Sequence, residues 1–459
     1  MALKILLITP PARTPQPEIL VVPPLGLAYL AAHAGQHGFA VDILDAFGEG
    51  LDWPEFTARI AANSYDIIGL TGMTPVIDTV KRAAAICRAH TRLLILGGPH
   101  ATAFRHQVFT DLPELDFACI GEGEESFLEF LSRVQANLSL EGIPGIMGRS
   151  GSSPPRGLIR NLDALAFPAR ARLPHSRYRY PLIGGRRITS MITSRGCPYA
   201  CLFCDKGVFG SQWRARSAAN VLREIDEVVK NQGIDGLIFY DDLFTLDRRR
   251  LREICLGLIE RDYNLVWKAE GRVDIVDDEL LALMKRAGCE TIAYGVESAN
   301  QNGLDFLRKK TTPAMAVTAF RRTRKAGIKT MGYFILGIPV ETYEEAQHTI
   351  QFAIDLKADY AQFSILSPMP GAELYQQAVA NGWYREIDAH NFMDKDHKRP
   401  VVISPLWSEE KLIAVIREAH RRFFFRPEYL VKNLRAGLRS GRIPFLVSQG
   451  LAMLRYLCR

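Results

Sequence analysis

Hydrophobic and polar positions follow two periods in turn along the first third of the chain. Short apolar runs, such as Ile5–Thr9 and Ile67–Leu70, are separated by longer stretches with helical spacing, such as Leu25–His37 and Val76–His90. Strands that alternate with helices are typical of a doubly wound, Rossmann-like parallel sheet, whose ligands bind beyond the carboxyl ends of the strands. The pattern therefore predicts an α/β domain over residues 1–139.

Glycines follow two of the apolar runs in this domain. The segments after these runs read Thr71-Gly72-Met73-Thr74 and Gly97-Gly98-Pro99-His100. Because glycine has no Cβ, it allows a ligand to approach the backbone closely. These two predicted strand ends are therefore the candidate ligand-binding edge of the first domain.

A segment rich in Gly, Pro, Ser and Arg follows, and we interpret residues 140–187 as a linker. Six strand–helix pairs then follow one another over residues 188–380. This repeat predicts a partial (β/α)6 barrel of the TIM type, in which catalytic groups lie where strands end and loops begin. Residues 381–459 are predicted to form a helical, basic extension. Its candidate helices are Trp407–Phe425, Glu428–Leu438 and Phe445–Leu457.

The composition narrows the class of protein. The 459 residues are 47% hydrophobic and 23% charged, as in ordinary soluble globular proteins. No stretch reaches the ~20 apolar residues that a membrane span needs, and the start of the chain has neither the apolar run nor the cleavage site of a signal peptide. These features predict a cytoplasmic protein. The net charge of +7 is concentrated at the end of the chain, where Glu428 is the only acid after residue 420.

Three of the eight cysteines, Cys197, Cys201 and Cys204, share one short loop after a predicted strand. A [4Fe–4S] cluster normally takes four thiolates, so three would leave one iron able to bind a small molecule. A structural zinc site needs four ligands, and the next cysteine, Cys255, lies far downstream. Disulfide frameworks belong to small secreted proteins. The spacing therefore favours an iron–sulfur cluster, and the other five cysteines are predicted to be buried apolar residues.

The Cys-x3-Cys-x2-Cys spacing resembles the signature of the radical S-adenosylmethionine (SAM) superfamily, in which the open iron chelates the amino and carboxylate groups of SAM. Further runs resemble the radical SAM proteins that carry a cobalamin-binding domain, and together they cover about residues 1–375. In the predicted barrel these runs are Asp241-Asp242, Glu270–Asp274, Gly295–Ser298, Gly337–Thr342 and Pro368–Gly371. In the first domain they are Pro23–Gly26, Gly97–His100 and Gly121–Glu124.

The resemblance implies that SAM binds at the ends of the barrel strands. Carboxylates can accept hydrogen bonds from its amino group and ribose, and an arginine can bind its carboxylate through two hydrogen bonds. Glu270, Arg272 and Glu297 are the hypothetical residues for these roles, and the alternative is a buried ion-pair network at the top of the barrel. The full predicted SAM set is Asp241, Asp242, Glu270, Arg272, Glu297, Ser298 and Gly337.

The chain departs from one known cobalamin-binding pattern, the motif that supplies the lower ligand of cobalt. Cobalamin domains of the methionine-synthase type carry Asp-x-His-x-x-Gly after the first strand, whereas this chain has Pro10–Pro15 there, and many radical SAM relatives lack the motif as well. The resemblance therefore implies cobalamin bound without a protein histidine. The predicted cradle for its nucleotide tail consists of Thr71, Gly72, Thr74, Gly97 and Gly98. The alternative is a domain that has lost the cofactor and either supports the barrel or binds substrate.

The resemblance implies an enzyme that uses a [4Fe–4S] cluster to cleave SAM reductively and functionalises an unactivated carbon through a 5′-deoxyadenosyl radical. Cobalamin-dependent methyl transfer is the favoured outcome. The alternatives are a radical oxidation, cyclisation or rearrangement without methyl transfer, and a non-catalytic sensor that binds SAM or cobalamin. The expected partners are a small-molecule or lipid-like substrate and an electron donor such as flavodoxin or ferredoxin.

The basic tail adds a further hypothesis. Phe423–Phe425 and the apolar run Ile443–Leu457 lie among its arginines, a composition that suits peripheral contact with an anionic membrane or with RNA. The alternative is a helical cap that docks on the barrel and leaves a solvated basic face. We expect no nucleic-acid partner, and a membrane-peripheral location stays open beside the cytoplasmic one.

Overall fold

The computed structural model describes residues 2–13, 21–151, 153–183, 186–387 and 399–440. The chain divides into two compact units. The first unit consists of Met1–Pro198, Lys206–Glu270 and Leu283–Glu290. The second consists of Tyr199–Asp205, Gly271–Ala282 and Thr291–Arg459. The domain boundaries expected at residues 139, 187 and 380 stay predictions.

The first unit begins with a six-stranded sheet. Its strands are β1 (Ile5–Thr9), β2 (Val41–Asp45), β3 (Tyr65–Thr71), β4 (Thr91–Gly97), β5 (Phe117–Cys119) and β6 (Ile146–Gly148). They lie in the order β2-β1-β3-β4-β5-β6; the pairs among β1 to β5 are parallel, and β6 is antiparallel to β5. The helices are α1 (Leu25–Gln36), α2 (Ala46–Glu49), α3 (Trp53–Ala61), α4 (Ile77–Arg88), α5 (Pro99–Phe104), α6 (Val108–Asp111) and α7 (Glu124–Gln135).

Helices cover both faces of this sheet because successive side chains of a strand point to opposite faces. In β1, Leu6 and Ile8 belong to one hydrophobic core, together with Phe56 of α3. Ile5 and Leu7 belong to the core on the other face, which α1 and α7 complete. The doubly wound α/β prediction is confirmed. The structure adds β6, which lies within the segment that we interpret as a linker.

The second sheet is built from the later strand–helix pairs. Its strands are β7 (Ile188–Met191), β10 (Gly236–Phe239), β11 (Val266–Gly271), β12 (Cys289–Glu297), β13 (Lys329–Leu336) and β14 (Tyr360–Ile365). A separate short ladder joins β8 (Ser194–Arg195) to β9 (Arg214–Ala215). The associated helices are α8 (Ala218–Gln232), α9 (Arg248–Arg261), α10 (Asp278–Arg286), α11 (Gln301–Phe306), α12 (Pro313–Lys325), α13 (Tyr343–Asp355) and α14 (Glu373–Ala380).

These six strands follow the order β14-β13-β12-β11-β10-β7. The pairs β7/β10, β10/β11, β12/β13 and β13/β14 are parallel. Because β7 and β14 are the two ends of this order, the sheet is open rather than a closed ring. This topology confirms the predicted partial (β/α)6 barrel.

The C-terminal extension starts with an element that the sequence pattern does not predict. Two short strands, β15 (Tyr384–Ile387) and β16 (Arg399–Val402), form an antiparallel pair. The helices α15 (Glu409–Phe424) and α16 (Pro427–Ser440) then confirm two of the predicted helices. Ser408 caps α15 by accepting a hydrogen bond from the backbone N–H of Lys411.

The third predicted helix of the extension, Phe445–Leu457, lies outside the described residues. Among the helices that the structure describes, none has both the length and the apolar character that crossing a bilayer requires.

Candidate active site

The cysteine loop leaves β7 through a turn held by Asp241, at the end of β10 in the first unit. The Asp241 carboxylate accepts hydrogen bonds from the backbone N–H and hydroxyl of Thr193, at 2.7 and 2.6 Å, and from the hydroxyl of Ser194. Its side chain is only 1% exposed, and this burial raises the pKa of Asp241 against the opposing effect of Arg250. Asp241 therefore anchors the start of the cysteine loop.

The neighbouring Asp242 holds the next step of the same turn. Its carboxylate accepts a hydrogen bond of 3.0 Å from the backbone of Gly196. Gly196 has a φ of +83°, and a Cβ there would come within 3.0 Å of the carbonyl oxygen of Phe209. A left-handed backbone with so little space favours glycine. Gly196 is therefore required for the turn that brings the chain to Cys197.

The three motif thiols differ from the other described cysteines in accessibility. Cys197 and Cys201 are half-buried and Cys204 is exposed. The remaining described cysteines are buried, and burial raises the pKa of three of them to about 12. These three are Cys87, Cys119 and Cys255. Thiolates are the ligands of iron–sulfur clusters, so the donor set fits a cluster at the motif and at no other described cysteine. Within the described ranges, no three His, Cys, Asp or Glu side chains are already gathered around a common metal position.

The middle of the cysteine loop, Tyr199–Asp205, belongs to the second unit. Leu202 is buried in a core that includes Leu307, Ile335 and Leu374. Its backbone accepts a hydrogen bond of 3.0 Å from Leu374 and donates one of 3.0 Å to Leu307. Packing and backbone hydrogen bonds thus fix the segment between Cys201 and Cys204.

Arg272 lies against this segment within the second unit. Its guanidinium stands 3.6 Å from the centre of the Tyr199 ring, and it makes two 3.0 Å hydrogen bonds to Asp274 and one of 3.1 Å to the carbonyl of Lys309. Burial would lower the pKa of Arg272, but Asp274, with smaller effects from Tyr199 and Cys201, raises it instead. The guanidinium therefore stays charged beside the cysteine loop.

The other predicted SAM carboxylates also carry cationic partners. In the first unit, Glu270 pairs with Lys268, whose ammonium lies 5.8 and 5.9 Å from the rings of Tyr180 and Tyr240. In the second unit, Glu297 pairs with Lys309 at 2.6 Å. Glu270 and Glu297 thus form ion pairs with lysines. These are contacts of the kind that the alternative hypothesis, a buried ion-pair network, expects.

Glu297 has an unusual backbone. Its φ is +67°, and the register between β12 and β13 shifts between Gly295 and Glu297. A Cβ on Gly295 would lie 2.5 Å from the ammonium of Lys309. A left-handed non-glycine residue costs about 1–3 kcal/mol and is typical of functional sites. The ion pair between Glu297 and Lys309 therefore lies at a bulge at the end of β12.

Sequence reasoning assigned no role to Glu341, which the second unit places beside Ser298. The Glu341 side chain has no exposed surface and accepts a hydrogen bond from the Ser298 hydroxyl. Burial raises the pKa of Glu341 to about 7. Glu341 stands directly before Thr342, which caps α13 in a reciprocal capping box with Glu345. This capping pattern is visible in the sequence and could have drawn attention to Glu341. The predicted Gly337 lies in the same loop, with a φ of +79°.

The predicted cobalamin cradle forms one edge of the first sheet. The loops after β3 and β4 meet through hydrogen bonds from the Gly72 N–H to Gly97 and from the His100 N–H to the Gly72 carbonyl, at 3.4 and 3.2 Å. The His100 ring lies 3.2 Å from the Thr74 hydroxyl. Gly98 has a φ of +98°, and a Cβ there would stand 3.1 Å from the Gly72 carbonyl oxygen.

Close packing within the first unit requires glycine at this edge, since a Cβ on Gly72 would lie 2.6 Å from the Val80 side chain. Met73 is 57% exposed at its rim, and burial lowers the pKa of His100 to about 4, so the ring is neutral at pH 7. Thr71 lies beside these glycines, because its hydroxyl would be 3.0 Å from a Cβ on Gly98. The structure therefore brings together all the residues predicted for the nucleotide tail.

Two family models match the chain. The model described as "Radical SAM superfamily" matches residues 191–353, and the model described as "B12 binding domain" matches residues 20–131. The first range contains the cysteine loop and every predicted SAM residue, and the second contains the glycine-bearing edge of the first sheet.

Similar proteins cover nearly the whole chain. An uncharacterized methyltransferase from Pyrococcus horikoshii is 33% identical over 441 residues, which is 94% of this chain and 95% of that protein. An anaerobic magnesium-protoporphyrin IX monomethyl ester cyclase from Rubrivivax gelatinosus is 29% identical over 447 residues, with 91% and 79% coverage. A similar solved structure is that of TsrM from Kitasatospora setae, a radical SAM methyltransferase with cobalamin and a [4Fe–4S] cluster bound. The two chains superpose with a TM-score of 0.75 at 18% identity, over 93% of this chain and 90% of the TsrM chain. This structural similarity supports the fold.

The ranges of the two family models contain the two candidate sites described above. Three thiols, half-buried or exposed, lie on the loop after the first barrel strand, and the glycine-bearing loops lie at the edge of the first sheet. The cofactors that accompany this combination are a [4Fe–4S] cluster, SAM and cobalamin. The chain is an enzyme that belongs to the radical SAM superfamily, in the branch that carries a B12-binding domain.

Proposed function

We propose that this enzyme transfers a methyl group to an unactivated carbon of a small-molecule or lipid-like substrate, with SAM and cobalamin as cofactors. The observation that carries the proposal is the edge after β3 and β4, where hydrogen bonds among Gly72, Gly97 and His100 bring the residues predicted for the nucleotide tail together. This edge lies within the range that the B12-binding family model matches. The relative at 33% identity is itself named a methyltransferase.

We propose that Cys197, Cys201 and Cys204 hold the cluster. Thr71, Gly72, Thr74, Gly97 and Gly98 would hold the nucleotide tail of cobalamin. When bound, the two groups supply the electron that cleaves SAM and the methyl group that is transferred. The chain itself binds and orients SAM and substrate and excludes water from the site.

The predicted SAM residues divide into two proposed roles. Glu270, Arg272, Glu297 and Gly337 are proposed to contact SAM. Asp241, Asp242 and Ser298 are proposed to position the loops, because their polar atoms are bonded to Thr193, Gly196 and Glu341. A buried carboxylate that already accepts three hydrogen bonds, as Asp241 does, has little capacity left for a ligand.

A radical cyclisation, oxidation or rearrangement is the competing outcome, and the Rubrivivax relative is named a cyclase. The discriminating experiment measures iron and cobalamin in protein purified anaerobically from cells supplied with cobalamin. The purified protein is then incubated with SAM that carries a deuterated methyl group, a cell extract, and flavodoxin or ferredoxin, which we propose as cytoplasmic electron donors. A Cys201→Ala variant is the control for cluster-dependent chemistry.

About four irons and one cobalamin per chain, with deuterated methyl groups appearing in an extract component, support the proposal. Iron without cobalamin, together with 5′-deoxyadenosine but no labelled product, would replace methyl transfer by another radical outcome. Bound cofactors without any 5′-deoxyadenosine would indicate a sensor.

We further propose that α16 contacts an anionic membrane surface. Four of its apolar side chains are 46–67% exposed: Leu430, Val431, Leu434 and Leu438. At the spacing of an α-helix they fall within an arc of about 100°. Tyr429, on another side of the helix, packs on Phe423 and Phe424 at ring distances of 5.6 and 5.4 Å.

The charge beside this arc agrees with a lipid partner. Arg435 is exposed and follows the arc around the helix, and Glu428 is the only acid after residue 420. Apolar side chains next to basic ones are typical of interfacial helices. The test is co-sedimentation of the whole chain with phosphatidylglycerol or phosphatidylcholine vesicles. We expect binding to phosphatidylglycerol alone, loss of binding in Leu434→Glu, and no loss in Val379→Glu, which alters an exposed apolar residue elsewhere. Binding that survives deletion of residues 426–459 would contradict the proposal.

A further inference from the structure

We infer that Glu122 and Glu124 are positioning residues for the cysteine loop and act on it through Arg195 and Arg214. The inference deepens the proposed function, since it rests on that loop holding the cluster. Glu122 and Glu124 lie in the Gly121–Glu124 run of the first domain, to which the sequence assigns no role. All four charged residues belong to the first unit.

Arg195 stands two residues before Cys197 and bonds both carboxylates. One terminal nitrogen donates to Glu122 at 2.9 Å and the other donates to Glu124 at 2.5 Å. The guanidinium also lies 5.3 Å from the centre of the Tyr29 ring and 5.1 Å from that of the Phe209 ring. These hydrogen bonds and ring contacts fix the side chain, and with it the backbone that enters the loop.

Arg214, at the other end of the cysteine loop, binds the carboxylate of Glu122 as well. In the ladder between β8 and β9 it stands directly opposite Arg195. One of its terminal nitrogens donates to the two oxygens of Glu122 at 3.1 and 2.9 Å, and also to the carbonyl of Ile159 at 2.6 Å. Glu122 therefore joins the entry and the exit of the cysteine loop.

The four side chains are 3–6% exposed. Burying charges has a large desolvation cost, and apolar residues of similar volume often stabilise a core better than an ion pair. What a charged network adds is a fixed geometry, because its hydrogen bonds have defined directions. At the base of a loop with three candidate metal ligands, fixed geometry is what cluster binding requires.

The charges balance within the network. The two carboxylates face the two guanidiniums. Although burial would raise the pKa of Glu124, Arg195 lowers it. Removing one carboxylate would leave an unbalanced positive charge close to Cys197. Because nearby charge sets the reduction potential of an iron–sulfur cluster, that change would raise the potential.

The test uses the whole chain with Glu122→Gln and Glu124→Gln, which keep the side-chain shape and remove the charge. Glu125→Gln is the matched control, because Glu125 is the next residue of α7 and its side chain is 47% exposed. Two readouts are measured: alkylation of Cys197 in the cluster-free chain, followed by mass spectrometry, and the midpoint potential of the reconstituted cluster. Alkylation of the buried Cys87 in the same samples reports any general unfolding.

We expect Cys197 to be alkylated at least about tenfold faster in Glu122→Gln and Glu124→Gln, since a broken buried ion pair is costly. Cys87 should stay protected, the potential should rise, and Glu125→Gln should match the wild type. Unchanged Cys197 alkylation, or equal acceleration at Cys197 and Cys87, would overturn the inference. A wild-type chain that assembles no cluster would refute the proposed function instead, because the alkylation readout does not need a cluster.

Discussion

Glu341 has no exposed surface, and one of its oxygens accepts a hydrogen bond from the Ser298 hydroxyl. Burial raises its pKa from 4.5 to about 7. Between these two values the unfolded chain ionises this carboxyl while the folded chain keeps it protonated. The unfolded state then binds fewer protons, so the folded state loses stability as the pH rises through this window.

The Glu341→Gln variant should lose less stability over this range because its amide does not ionise. Between pH 4.5 and about 7 the wild type should lose up to about 3 kcal/mol more than the variant. Urea unfolding at a series of pH values measures the difference, and Glu260→Gln, at an exposed position of α9, serves as the control. Parallel pH profiles for Glu341→Gln and the wild type would show that this carboxyl ionises normally in the folded chain.

Arg272 offers a second test at the scale of a single residue. Its planar guanidinium stacks on Tyr199 and bonds Asp274 through two nitrogens. A lysine keeps the charge but has neither the plane nor the paired donors. Arg272→Lys should therefore weaken SAM binding by about tenfold or more, as measured by equilibrium dialysis. Arg322, whose side chain is 41% exposed, lies 3.6 Å from Asp278. Arg322→Lys should bind SAM as the wild type does, and equal affinities for both variants would argue against a SAM contact by Arg272.

At the scale of elements, the loops after β3 and β4 decide whether the first sheet can hold cobalamin. Alanine at Gly98 would need a left-handed backbone and would crowd the Gly72 carbonyl oxygen at 3.1 Å. Gly98→Ala should therefore abolish or greatly reduce cobalamin binding, which absorption spectroscopy measures without any turnover. Gly35→Ala is the control, since its Cβ would meet nothing within 4 Å and alanine favours the helix by up to about 1 kcal/mol. Full cobalamin binding by Gly98→Ala would remove this edge from the proposed site.

The long elements could be predicted from the sequence, whereas several short ones, among them β6, β15 and β16, could not. Hydrophobic periodicity over 10 to 15 residues predicts α1, α4 and α8 because one face of each helix packs on a sheet. The strand β6 has three residues, and β15 and β16 have four each. Runs so short have no readable period, and β6 is a strand because β5 supplies its hydrogen-bond partners.

At the scale of the whole molecule, the two cofactors are assigned to different residues, so they should be lost separately. Cys201→Ala should lose the bound iron and keep cobalamin, and Gly98→Ala should do the reverse, because neither residue belongs to the other proposed site. Iron analysis and absorption spectra of the purified variants measure both cofactors, with Cys255→Ala as a control at a buried cysteine outside the motif. Loss of both cofactors in either variant would mean that the two sites fold only together.

The sequence by itself determined the order of the long strands and helices, the cysteine loop and the glycine-bearing strand ends. Local spacing is enough for these features. The hydrophobic pattern of a helix or strand repeats within a few residues, and Cys197, Cys201 and Cys204 lie within eight residues of one another. The tertiary structure alone decided which charged groups meet. Arg195 pairs with Glu122 across 73 residues, and Ser298 with Glu341 across 43. Such partners are selected by burial, since a buried charge or hydroxyl must find a partner nearby in space, and no local pattern carries that information.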